Sequence, residues 1–186
     1  MPHPPVRADG KIESVITHLE MLAPPATPPI PPPHDDVDIE RVEKPVVSYY
    51  RYLYDTVGEP WLWGDRRKLS DEALAAIIQH PDVAVYVLWV GGTPAGYAES
   101  DGRVKGEIEL AYFGLMPDFI GKKLGPYLLD WTIRTAWAEG PRRVWVHTCT
   151  LDHPSALAMY ERAGFKAFKT ETEIGDDPRA LGLIRG

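Results

Sequence analysis

Two stretches of this chain carry residue types at spacings that could do chemistry. The first reads Leu115-Met-Pro-Asp-Phe-Ile-Gly-Lys-Lys-Leu-Gly-Pro-Tyr-Leu-Leu: a strand end, a turn containing glycine and lysine, and the start of an apolar helix. The first N–H groups of a helix lack internal partners and carry partial positive charge, so such a turn is suited to an anion such as a pyrophosphate. Gly121 and Gly125 let the main chain approach closely, and Lys122 and Lys123 add mobile positive charge. An ordinary tight turn with a lysine-rich surface has the same composition. Just upstream, Glu107 and Glu109 alternate with Ile108 and Leu110, which puts both carboxylates on one strand face. The second stretch, Leu151-Asp-His-Pro-Ser-Ala-Leu-Ala-Met-Tyr-Glu-Arg-Ala-Gly-Phe, is a short helix bearing one tyrosine and ending at a glycine cap.

The elements that position these stretches can be read from periodicity. Residues 14–22 mix β-branched residues with loose alternation and predict an added strand. Pro24, Pro25, Pro28, Pro29, Pro31, Pro32 and Pro33 then fall within ten residues, which requires an extended polyproline strap, either a surface connector or a docking segment for a proline-reading partner. Strict alternation predicts a strand over 37–42. A helix opens at Pro45 with Val46, Tyr49, Tyr50, Leu53 and Val57 on one stripe, and a second is capped by Ser70. Strands follow at 83–90, 95–100 and 107–115, then a helix over 124–138, a strand over 143–149, a helix over 154–163 and a last strand from 165 to about 173. This order predicts an α+β fold: a mixed, mostly antiparallel sheet flanked by helices on both faces.

Together the turn and the tyrosine-bearing helix resemble the GNAT superfamily of acyl-CoA-dependent N-acetyltransferases. The family's turn, Arg/Gln-x-x-Gly-x-Gly/Ala, is matched by Ile120-Gly121-Lys122-Lys123-Leu124-Gly125, and its later helix, running from an Asn through Ala to Leu-Tyr and Gly-Phe, by His153, Ala156, Met159-Tyr160 and Gly164-Phe165. The resemblance covers roughly residues 37–173. Ile120, Lys123 and His153 depart from the family's Arg/Gln, Gly and Asn. It implies a GNAT-like fold, acetyl-CoA as cosubstrate held by the 120–125 turn and by His153, and the backbone of Phe113, Gly114 and Leu115 hydrogen-bonding pantetheine and polarising the thioester.

An alkylammonium, with a pKa near 10.4, must lose a proton before it attacks a thioester. By resemblance Glu109 is the base and Tyr160 the acid that serves the leaving thiolate; solvated strand residue and packing tyrosine are their alternatives. Glu99 and His147 are reserve bases, and Glu99 is grouped with the acceptor side. Trp61 and Trp63 fall in the loop where this family often builds its acceptor pocket, and could cage a cationic amine or simply anchor the loop. His147, Cys149 and His153 lack a convincing fourth ligand, so no metal is expected.

The bounds on the chain agree with this. Its 186 residues suit one enzyme-sized domain, divided here into a 1–36 extension, a 37–174 acetyltransferase domain and a 175–186 tail. One cysteine excludes an internal disulfide framework and fits a reduced, cytoplasmic compartment. The Met-Pro-His-Pro-Pro start is unlike a signal peptide, no run is long enough to span a membrane, and a net charge of -7 argues against nucleic acid. The expected activity is acetyl transfer to a primary amine by direct attack in a ternary complex, on a small-molecule or peptide acceptor. The alternative is a non-catalytic acyl-CoA-binding or protein-interaction module. The resemblance also admits a homodimer.

Overall fold

The computed structural model describes residues 5–184; the first four residues of the start discussed above, and residues 185–186, lie outside them. In chain order the elements are β1 (Lys11–Met21), β2 (Val37–Arg41), α1 (Val47–Gly58), α2 (Asp71–Ile78), β3 (Val83–Val90), β4 (Thr93–Asp101), β5 (Glu107–Leu115), α3 (Leu124–Ala138), β6 (Arg143–Cys149), α4 (Ala156–Ala163) and β7 (Lys166–Asp176), with short 3-10 turns at 59–61, 66–68 and 117–119. All seven strands join one open sheet in the order β2-β3-β4-β5-β6-β1-β7. Every neighbouring pair is antiparallel except β5 with β6. This is the mixed, mostly antiparallel sheet with helices on both faces that the periodicity predicts.

Amphipathic stripes decide which helix covers which face. The predicted Tyr50, Leu53 and Val57 stripe of α1 packs with Leu74 and Ile78 of α2 onto Val85, Val87 and Tyr97 of β3 and β4. Leu53 and Leu74 are fully buried, each contributing about 2 kcal/mol of transfer free energy. On the opposite face, Leu124 and Leu128 of α3 meet Leu88, Ala95 and Ala98. Further along, Leu129 and Ile133 of α3, with Tyr160 of α4, close over Ile108, Leu110, Val144 and Val146. As predicted, Ser70 caps α2: its Oγ accepts from the Ala73 N–H at 3.2 Å.

The N-terminal strand is longer than the 14–22 read from sequence and is no appendage. It lies inside the sheet, paired with β6 from Ile16↔Cys149 to Met21↔Val144 and with β7 from Lys11↔Asp176 to Glu20↔Lys166. The proline strap then returns the chain to β2 at the far edge. It is tied to the outer side of α3, where Asp130 Oδ2 accepts from the Ile30 N–H at 3.0 Å and Arg134 donates to the Thr27 carbonyl at 2.7 Å. Two helix starts shift from expectation. α1 begins at Val47, and α4 at Ala156, because His153, Pro154 and Ser155 form a turn in which the Ala156 N–H donates to the His153 carbonyl at 2.8 Å. No helix among the described residues is long and apolar enough to cross a membrane.

Candidate active site

The site begins where two parallel strands part. β5 and β6 pair only at Glu107↔Arg143, Ile108↔Val144 and Glu109↔Trp145. β5 then continues to Leu115 beside β4, and β6 to Cys149 beside β1. A β-bulge at Ala111, between Leu110 opposite Ser100 and Tyr112 opposite Glu99, re-aims β5 at this point. The wedge between the strands opens into a cavity of about 790 Å³ that reaches the 120–125 turn, the 61–65 loop and the end of β6. A space of this size suits a small-molecule or cofactor site.

Of the residues expected at the site, Phe113, Gly114, Leu115, Ile120, Gly121, Lys123, Gly125, His153, Tyr160, Trp61 and Trp63 line this cavity. Four do not. Lys122 lays its ammonium 4.8 Å from the centre of the Phe119 ring, and Leu124 is buried in the core beneath α3. Glu99, expected on the acceptor side, is instead fully enclosed. Its carboxylate accepts from Arg66 Nη2 at 2.6 Å and from the Tyr50 hydroxyl, so it cannot touch an acceptor directly. Burial pushes its pKa up against the opposing pull of Arg66. Glu109 also stands behind the cavity wall: its Oε1 lies 3.1 Å from Nδ1 of His147, and it is His147 that faces the space. That bond raises the His147 pKa above its ordinary value, with burial working the other way.

On the opposite wall Tyr160 is 5% exposed, edge-on to Phe113 and Phe165. Burial, assisted by the charge of Asp152, raises its pKa and keeps the phenol protonated. Burial likewise pushes the Cys149 thiol up to about 11, which removes the thiolate a nucleophile would need. Among the described residues no group of three or more His, Cys, Asp or Glu is placed to hold a metal ion.

The turn fits an anion in physical terms. Gly121 has φ +84 with open space where a side chain would be, and Lys123 adopts the left-handed conformation at φ 62. α3 starts with no side-chain cap, so its first N–H groups are left to a ligand or to solvent. Past Glu109, β5 runs along the cavity without β6 beside it, so its peptide groups on that side are open to amides of an extended ligand.

Several features were not visible in sequence. Asp152 lines the cavity and gathers three donors: Trp63 Nε1 at 3.1 Å, Thr148 Oγ1 at 2.8 Å and the Cys149 N–H at 3.0 Å. Trp63 is seated on Gly58, where an added Cβ would lie 2.5 Å from the indole, and against Tyr54 and Tyr112. The segment after β7 packs beside this loop: Arg67 donates to the Leu183 carbonyl at 2.7 Å, and Ile184 packs with Ile12 and Leu62. The only sequence hint for Asp152 is its place in the turn after β6, where Asp side chains commonly bond nearby backbone.

The acetyltransferase (GNAT) family model matches residues 49–165, more than half of the chain, and the chain belongs to that family. A functionally unknown conserved protein from Staphylococcus epidermidis shares the fold with a TM-score of 0.63 at 20% identity, covering 92% of this chain and 65% of that one. This chain therefore spans about two thirds of the length of that protein. The ribosomal-protein-S18-alanine N-acetyltransferase from Escherichia coli gives a TM-score of 0.58 at 17% identity, covering 75% and 94%. An aminoglycoside N-acetyltransferase in complex with CoA gives 0.51 at 20% identity, covering 73% and 90%. No curated protein matches the chain in sequence.

Proposed function

We propose that this chain transfers the acetyl group of acetyl-CoA to a primary amine of a small molecule, by direct attack with both substrates bound. The observation that carries this reading is the parting of β5 and β6 after Glu109 and Trp145, which joins the 120–125 turn to the Trp61 and Trp63 loop through one cavity.

The turn and the open edge of β5 would hold the pyrophosphate and pantetheine, and acetyl-CoA would supply its acyl group activated as a thioester. Glu109 accepts from His147 Nδ1–H, which leaves Nε2 as the lone pair that takes a proton from the attacking amine. Glu109 thereby acts as the residue that orients the base. Tyr160 holds the proton that the departing sulfur requires. A C–N bond forms as the C–S bond breaks; the proton taken by His147 and the one given by Tyr160 are exchanged back through solvent.

Packing of the segment after β7 against Arg67, Ile12 and Leu62, with Pro178 on the cavity wall, supports a compact amine over a long polypeptide. The carboxylates of Glu173 and Asp176 on the cavity wall, with the aromatic faces of Trp61 and Trp63, favour a cationic one, while Asp65 is paired with Lys68 at 3.6 Å. The structural likeness to an aminoglycoside N-acetyltransferase is consistent with that choice.

Calorimetric titration with acetyl-CoA and with CoA, followed by thiol release in the presence of a diamine, an aminoglycoside and a short peptide, tests the reading. Micromolar CoA binding with amine-dependent thiol release supports it. Binding without release on any amine leaves an acyl-CoA-binding module, and no binding overturns both.

A further inference from the structure

Asp152 is the point at which the two sides of the cavity are physically joined. Its Oδ1 accepts from Trp63 Nε1, across a separation of 89 positions in the chain, while Oδ2 holds Thr148 and the Cys149 N–H at the end of β6. The next residue, His153, meets Trp61 edge-on, with ring centroids 5.2 Å apart, so the same two loops touch twice. Beyond this bond the Trp63 indole is held by packing against Gly58, Tyr54 and Tyr112, while its backbone N–H donates to the Gly58 carbonyl at 3.1 Å.

The geometry points to Asp152 as a positioning residue that locks Trp63, the wall of the acceptor side, to the loop entering α4, so that occupancy of the His153 and Tyr160 side is felt at Trp63. This rests on the acetyltransferase reading for the names of the two sides. The linkage itself rests on one carboxylate serving three donors from both. A carboxylate is required chemically, because each oxygen meets only donors. The amide of Asn must present an NH2 to one side: turned to β6 it can meet the Thr148 hydroxyl but leaves the Cys149 N–H unpaired, and turned to the indole it leaves Trp63 Nε1 unpaired. Charge-assisted bonds of this kind are also stronger and shorter than neutral ones.

The test follows the indole N–H of Trp63 in the full chain by 15N NMR, assigned by its disappearance in Trp63→Phe. In the unaltered protein it should exchange slowly with solvent and shift on CoA titration. In Asp152→Ala, which removes both oxygens, exchange should accelerate about tenfold, the fold-change of one lost hydrogen bond. Calorimetry should still show CoA binding within about threefold, but the Trp63 signal should no longer respond, since the link between separate sites is what has been cut. Asp152→Glu, which keeps the charge and displaces the oxygens, should decouple the signal in the same way and serves if the Ala variant does not fold. An unchanged exchange rate, or an unchanged response to CoA in either variant, overturns the proposal. If the unaltered protein binds no CoA, the acetyltransferase reading fails on its own, and the exchange rate alone decides whether Asp152 holds Trp63.

Discussion

Nδ1 of His147 stands 3.1 Å from Oε1 of Glu109, joining β6, two residues past its last pairing, to the last residue of β5 that pairs with it. The pair raises the His147 pKa above the ordinary 6.5 of histidine. The sign follows directly. A raised pKa stabilises the folded protein fully below about pH 6.5, and this is lost as pH rises through the folded value. The neutral imidazole that can take a proton appears only above that value, so kcat/KM should climb on the alkaline side of 6.5. Glu109→Gln should move this limb to lower pH with CoA affinity unchanged. A limb that stays in place removes the pair from catalysis.

Tyr160→Phe deletes one oxygen from a ring that is otherwise core. Turnover should fall by about 100-fold or more, the usual contribution of a positioned proton donor. CoA affinity and melting temperature should change little. An undiminished kcat would return Tyr160 to a packing role.

Glu99 and Arg66 form an ion pair at 2.6 Å, with Glu99 fully buried and the Arg66 side chain 12% exposed. Removing one partner strands the other charge, so Glu99→Ala should lose about 3–5 kcal/mol of stability in urea titration. The double variant Glu99→Leu, Arg66→Met should recover most of it. Equal losses in single and double variants would show that the pair is not coupled.

Gly58→Ala places a methyl 2.5 Å from the Trp63 ring. The ring must give way, at a cost of about 1–3 kcal/mol. The amine KM should rise while CoA binding, measured calorimetrically, holds. A crystal structure of the variant with Trp63 unmoved would contradict this.

Lys123 occupies the left-handed region at φ 62, where the family turn carries glycine. Lys123→Gly should raise stability by about 1 kcal/mol by relieving that conformation. If the lysine also supplies charge to the pyrophosphate, CoA affinity should drop several-fold in the same variant, with a steeper loss at low salt. A gain in affinity would assign the site to the backbone alone.

Much of the frame was legible because it rests on local signals. The Tyr50, Leu53 and Val57 stripe, the Ser70 cap and the Glu107-Ile108-Glu109-Leu110 alternation each specify their element within a few residues, and the structure agrees. What was not legible is non-local. Nothing near Glu99 in sequence indicates that Arg66 and Tyr50 will enclose it, and nothing near Asp152 indicates Trp63. Glu109 is singled out by resemblance, but its partner His147 is on another strand, and only the register of β5 and β6 decides which of the two faces the cavity. The place of β1 between β6 and β7 is likewise a pairing choice that alternation cannot express, since any antiparallel neighbour would satisfy it.

That placement has a consequence in time. β1 pairs only with strands that begin at Arg143 and Lys166, so during synthesis this strand waits, unpaired on both edges, until β6 and then β7 have emerged. Contacts this distant in sequence close slowly, because the loop entropy is lost before any pairing offsets it. The β2 to β5 side of the sheet, with α1 and α2, can assemble from neighbours as they appear, whereas the β6 side of the wedge gains its second strand neighbour only when β1 slots in. Completion of the wall that carries His147 therefore comes after the other side of the sheet can form, and a nascent chain holds no finished site before β6 and α4 are made.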